Sequence, residues 1–142
     1  MESIPNFVPQ LAISSGVTDL DFYKKAFDAV EQWRLNNDDG SVHVASFSIG
    51  DATFHLHEES PKSGVYSPGK HNSTTVTIGL MVDDPHAVAA QAIAAGARVI
   101  HPVQDYEYGY RQGTIADPFG HQWLIEKIID KDAITSFISN AK

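Results

Sequence analysis

One order of elements occurs twice along this chain, and a repeat in so short a sequence leaves few folds open. Residues 7–58 run strand, helix and three strands, and residues 74–128 run the same way. In the first copy FVPQLAIS (7–14) alternates weakly, as a strand does. Thr18-Asp19-Leu20-Asp21 has the form of a capping box, and Tyr23, Ala26, Phe27 and Val30 follow at the spacing of an amphipathic helix. Three strands are expected near 30–36, 42–49 and 52–58, parted by NNDDG (36–40) and Gly50-Asp51. In the second copy TTVTIGLMV (74–82) reads as a strand. Asp83-Asp84 then caps a helix with Pro85 at its first position, an apolar face of Val88, Ala89, Ala92 and Ile93, and Gly96 as its stop. Further strands are expected near 97–104, 109–116 and 121–128. The offsets agree: Ala29 and Gly96, at the helix ends, differ by 67, and Gly50 and Gly120, each before a strand, by 70. The chain is read as an α+β protein of two tandem βαβββ modules, 1–60 and 74–129.

Between them ESPKSGVYSPGKHNS (59–73) holds two Pro and two Gly without periodicity, so 61–73 is expected to be a connector. After the second module, Ile134, Phe137, Ile138 and Ala141 recur at helical spacing, predicting a terminal helix over 130–142 that docks on the body.

The stretch IADPFGHQWLIEKI (115–128) carries the sharpest local signal. Asp117, Pro118 and Gly120 occupy positions i, i+1 and i+3 of a type I turn, where Asp accepts backbone hydrogens, Pro presets φ and Gly releases the chain. Beyond the turn, Trp123 and Ile125 fall on one strand face and Gln122, Leu124 and Glu126 on the other.

Composition narrows the function classes. A chain of 142 residues holds one domain, or two small modules sharing one. The absence of cysteine excludes disulfides, thiolate metal sites and a cysteine nucleophile. MESIPNF has no basic stretch followed by an apolar run, and Val76–Val82 is too short to span a bilayer, so a cytoplasmic protein is expected. A formal charge of −8, with no Lys/Arg cluster, argues against nucleic acid and membrane partners and leaves room for a cationic ligand.

Two βαβββ copies, with FYKKAF in the first helix and DPFGHQW before the last strand, resemble the vicinal oxygen chelate superfamily of glyoxalase I, bleomycin-resistance proteins and extradiol dioxygenases. HVASFSIGD, AAGARV and YGYRQG are similar to its PhnB-like branch. The resemblance implies that each module curls a four-stranded mixed sheet into half of an open barrel, helices outside, around a ligand cavity. It also implies that metalloenzyme members draw metal ligands from the first and last strands of each module. At those positions this chain has Val8, His55, Thr77 and Leu124. One imidazole does not make a site that needs about three protein ligands, so neither a metal nor another cofactor is expected.

Ligand contacts are expected instead from Gln10, His43, His55, His57, Thr77, Tyr110, Arg111 and Leu124. His55 and His57 share the strand face opposite Phe54 and Leu56; His43 begins the preceding strand; and Arg111, beside Tyr108 and Tyr110, suits a carboxylate or phosphate unless Asp105, Glu107 or Asp117 claims it. The function expected is small-molecule binding, sequestering or carrying an organic ligand as a homodimer. The alternative is a lyase, isomerase or dioxygenase of the same superfamily using His55.

Overall fold

A computed structural model describes residues 3–141; the ends of the expected 1–60 and 130–142 segments, at Met1, Glu2 and Lys142, lie outside them. The chain divides between Ser73 and Thr74 into two compact units. In the first, β1 (Gln10–Ile13), α1 (Asp21–Phe27), β2 (Val30–Asn36), β3 (Val42–Ile49) and β4 (Ala52–Glu58) follow in that order. β5 (Thr77–Met81), α3 (Pro85–Ala94), β6 (Arg98–Asp105), β7 (Tyr110–Ala116) and β8 (Gln122–Ile128) repeat it in the second. Each unit forms one four-stranded mixed sheet, ordered β1-β4-β3-β2 and β5-β8-β7-β6, and neither closes into a barrel. The first and last strands of each unit pair in parallel, and the remaining pairs are antiparallel hairpins.

Every strand expected from alternation is present: β2, β3 and β4 with the expected bounds, β6 shifted by one residue, and β1, β5, β7 and β8 trimmed at the ends. The helix starts are less uniform. Asp84 caps α3 as expected, its carboxylate accepting from Ala87 N at 3.1 Å. The Thr18–Asp21 capping box does not form: Asp19 Oδ1 takes the Asp21 amide at 2.8 Å, and the N-cap residue Leu20 offers no side-chain acceptor. An aspartate reaches an amide two residues on in an Asx turn, which pre-empts the longer loop back from Thr18. α1 then ends at Phe27, where Asp28 takes the left-handed conformation.

Residues 59–73, expected to be a featureless connector, carry a 3-10 turn at Pro61–Ser63 and a one-turn helix, α2 (Pro68–His71), each with Pro in its first turn. They are tied down by a 2.9 Å hydrogen bond between the Ser14 and Ser67 hydroxyls and by Glu59, which accepts from Ser67 N at 3.1 Å and lies 3.7 Å from Lys70 Nζ.

Each sheet buries one face against its helix. In the first unit Tyr23 of α1 sits edge-on to Phe54 at 5.2 Å and beside Phe47 at 5.8 Å, and Ile13, Leu20 and Leu56 complete a fully buried cluster. In the second, α3 lies on β6, β7 and β8 over Ile115, Trp123 and Ile125. Pro85, Ala89 and Ala92 are the buried residues of α3, and Ile93, assigned to the apolar face, falls to the side of that stripe and stays exposed. The terminal helix α4 (Lys131–Asn140) is capped by Asp130 but has no buried residue among those described; Phe137 meets the Tyr108 ring at 5.6 Å.

The DPFG turn is built around Asp117, which is 5 % exposed. Its Oδ1 accepts from Phe119 N at 2.9 Å and His121 N at 3.0 Å, and its Oδ2 accepts from Trp123 Nε1 at 3.0 Å. Gly120 has φ +94°, a region that a side chain enters only with strain. Replacing Asp117 by Ala leaves a buried indole N–H and two turn amides without that acceptor, and should cost about 3 kcal/mol or more in urea unfolding. An unchanged midpoint would show that the carboxylate does not hold this turn.

Candidate functional site

Opposite its helix, each sheet has a face that its own helix does not cover, and cross-strand register sorts the candidate residues onto or off these open faces. In the first unit one row runs Gln10, His55, Ser46, Trp33 across all four strands, and the next runs Ala12, His57, Val44, Leu35. Gln10, His55 and His57 therefore lie on the open face. Ser46 is almost fully buried because the Trp33 ring crosses above it to reach His55, the ring centroids being 5.4 Å apart. Trp33, Leu35 and Val30 leave roughly half of their surfaces in solvent on this face. So much apolar area on one side of a sheet marks an unfilled contact surface.

His43 takes the other parity, that of Ala45 and Phe47, and its Nδ1 lies 2.7 Å from Glu58 Oε1. That bond is the main reason the Glu58 carboxyl is held below its ordinary range, and Asn37 Nδ2 donates to the second oxygen at 3.0 Å. The acid nearest the histidines in sequence thus serves His43, and what the His55 ring meets is an indole. His57 Nδ1 lies 2.6 Å from the Glu58 carbonyl oxygen.

In the second unit three rows cross the open face: Thr77, Gln122, Ala116, Arg98; then Gly79, Leu124, Thr114, His101; then Met81, Glu126, Gln112, Gln104. Thr77 and Leu124 lie on this face, as does Tyr110, paired with Ile128. Arg111 does not. It pairs with Lys127 and Asp105 on the α3 side, and its guanidinium grips Asp105 through Nε–Oδ1 at 2.6 Å and a second nitrogen to Oδ2 at 3.1 Å. Arg111, expected as an anion contact, already holds the Asp105 carboxylate of the adjacent strand with two of its five N–H groups. A shallow pocket at the ends of β5 and β8 is lined by Met81, Val82, Asp83, Lys127 and Ile128.

Glu126 was not singled out from sequence, although its parity with Leu124 was evident there. The Glu126 carboxyl is pushed above its ordinary value by burial, with no hydrogen bond or opposite charge offsetting that burial among the described residues. It leans over Gly79, where an added Cβ would lie 3.0 Å from Oε2. Tyr108 and Tyr106, stacked at 5.1 Å, fold back so that Gln112 Nε2 donates to the Tyr108 hydroxyl and Gln104 Nε2 to the Tyr106 hydroxyl, both at 2.8 Å. Burial also raises the Tyr108 phenol, with Tyr106 and Glu126 adding to the effect.

The residues do not fit the divalent metal of the metalloenzyme relatives. Valine and leucine have no donor, a threonine hydroxyl is a poor one, and His55 is the single strong ligand among the four matched positions. No group of three or more His, Asp or Glu among the described residues is arranged to hold a metal ion.

Residues 18–125 match the profile of the Glyoxalase/Bleomycin resistance protein/Dioxygenase superfamily. An uncharacterized protein of Mycobacterium tuberculosis is 38% identical over 124 residues, spanning 85% of this chain and 73% of the relative. One of Mycobacterium bovis matches equally over 82% of its own length. Among solved structures, TioX from Micromonospora superposes with a TM-score of 0.67 at 24% identity, over 87% of this chain and 98% of the other. The fosfomycin resistance protein FosX from Mesorhizobium loti gives 0.62 at 17% identity, over 93% and 99%. Two four-stranded mixed sheets of the same strand order, each with a helix on one face, already define the class of fold. The chain belongs to the glyoxalase/bleomycin resistance protein/dioxygenase superfamily.

The unpartnered carboxylate has a consequence for stability. Because the folded state raises the Glu126 pKa above the ordinary 4.5, ionising it costs the fold free energy at neutral pH, and that cost disappears once the group is protonated in both states. Glu126→Gln should raise the melting temperature at pH 7, with the gain vanishing below about pH 4. A variant less stable than the parent at pH 7 would mean that the carboxylate has a partner in solution.

Proposed function

We propose that this protein binds a small organic molecule on the open sheet faces and sequesters or carries it, without the metal chemistry of its catalytic relatives. The observation that carries this is the pairing of a deficient donor set at Val8, His55, Thr77 and Leu124 with faces that remain furnished for contact. Trp33, Leu35 and Val30 are exposed beside His55 and His57 in the first unit, and Leu124, Met81 and Tyr110 lie beside polar side chains in the second. Apolar surface with a few placed polar groups is the usual make-up of a ligand site. The superfamily includes resistance proteins, the fosfomycin resistance protein FosX among its structural neighbours; sequestration is in keeping with that membership. The PhnB-like segments HVASFSIGD, AAGARV and YGYRQG belong to the same reading.

Catalysis by His55 as a base is less well supported. Its imidazole packs on Trp33, and Glu58, the nearest acid in sequence, takes the opposite strand parity and is held by His43 and Asn37. Gln10, His57, Thr77 and Tyr110 are proposed as further contacts, and a homodimer as the working form, since the edge strands of both sheets are otherwise left for another chain to pair with.

A thermal-shift panel of small organic molecules tests the reading: a ligand at about a hundred times its Kd adds roughly 2.7 kcal/mol and shifts the melting temperature by several degrees. Failure of every compound across a chemically broad panel would remove its support. Light scattering should give twice the chain mass, whereas a monomer at all concentrations would contradict the dimer.

A further inference from the structure

We propose that the open face of the second sheet is a subsite for a ligand bearing a protonated amine or amidine on an apolar body, with Glu126 as its counter-charge and Gln112 and the Tyr106–Tyr108 pair as its flank. This rests on the small-molecule reading above and names the chemistry of the ligand.

Four observations converge on it. Glu126 stands in the interior of the row Met81, Glu126, Gln112, Gln104, flanked on both sides by paired strands, so its carboxylate is presented by a rigid part of the sheet. The cations of β7 and β8 do not reach it: Arg111 and Lys127 take the other strand parity, and Arg111 is bound to Asp105; Arg98 shares the face but stands on β6, two rows away. A half-buried carboxylate without a partner costs stability, so a cation that neutralises it gains more than a surface contact would.

The second observation is space. Gly79 is the neighbouring position on β5, and a Cβ there would press on Oε2 at 3.0 Å; the missing side chain is what lets the carboxylate lie toward Leu124 in the middle of the face.

The third is the polarity of the surrounding groups. Gln112 uses one of its two amide N–H groups on the Tyr108 hydroxyl, and Gln104 one of its own on the Tyr106 hydroxyl. Their amide oxygens, like the Glu126 oxygens, are acceptors. The carboxylate and the two amide oxygens give a donating ligand several acceptors, and an ammonium or amidinium donates from every nitrogen.

The fourth is the apolar frame. Met81, Leu124, Tyr110 and Ile128 lie on the same face around Glu126, and the stacked tyrosines add rings on which a cation or aromatic body can rest.

The test uses benzylamine, charged at pH 7, against benzyl alcohol and benzoate, which keep the aromatic body and change only the head group. Each is titrated into the full-length protein and followed by NMR shifts. Benzylamine should bind at least roughly tenfold more tightly than either analogue and shift the signals of Glu126, Gln112 and Tyr108. Glu126→Gln should weaken benzylamine by roughly tenfold and leave benzyl alcohol unchanged. Gly79→Ala, which displaces the carboxylate without changing the charge, should weaken benzylamine as well. Equal binding of benzylamine and benzyl alcohol, insensitivity to Glu126→Gln, or no binding of benzylamine would each overturn the subsite. A positive result in the broader thermal-shift panel would then still uphold small-molecule binding, so the two failures are separable.

Discussion

A single buried carboxylate sets the geometry on which the second unit depends. Asp117 gathers two turn amides and the Trp123 indole, so it fixes at once the reversal of the chain and the depth at which the following strand enters the core. Since β8 lies between β5 and β7, its register dictates that of both neighbours. With Trp123 and Ile125 locked inward beneath α3, strand pleating sends Gln122, Leu124 and Glu126 to the opposite face. A slip of one residue would bury the carboxylate and expose the tryptophan. The chemistry of the open face is therefore a consequence of how the turn before it is tied.

Much of this was legible in the sequence. Alternation gave the strands from 30 to 58 and from 97 to 128, and the recurring order of elements gave two units of one topology. The parity of 122–126 was readable because Trp123 and Ile125 are bulky and their neighbours polar. Less legible was anything that depended on which strand lies next to which. Arg111 looked available until antiparallel pairing of β6 with β7 set Asp105 against it. Trp33 could not be connected with His55 without knowing that β3 separates their strands and that its residue there is the small Ser46. Tyr106 and Tyr108 sit in a turn whose fold over the sheet is directed by glutamines on β6 and β7. Local competition misled too: Thr18 and Asp21 have the right spacing for a cap, but Asp19 is closer to the amide.

The two units show how one topology diverges in chemistry. Both present one open sheet face and cover the other with a helix, yet the first displays imidazoles and an indole where the second displays a carboxylate, amides and phenols. Their helix-side cores are built from different residues as well, an aromatic cluster around Tyr23 in one and an alanine-lined helix over Trp123 in the other. Retaining the sheet order while replacing both faces is the way a fold passes from one function to another, because function resides in the side chains displayed and not in the scaffold. Val8, Thr77 and Leu124 stand at the places where metalloenzyme members would carry ligands, and they leave His55 as the single strong donor there.

The central claim is that this chain keeps the ligand-holding faces of its superfamily but not the donors for a metal. Elemental analysis of the purified protein, paired with thermal melts before and after a strong chelator, tests it most directly. The account predicts well under one equivalent of transition metal per chain and a melting temperature that the chelator leaves unchanged, since no metal-binding energy is coupled to the fold. Close to one tightly bound metal per chain, lost together with stability in His55→Ala, would contradict it.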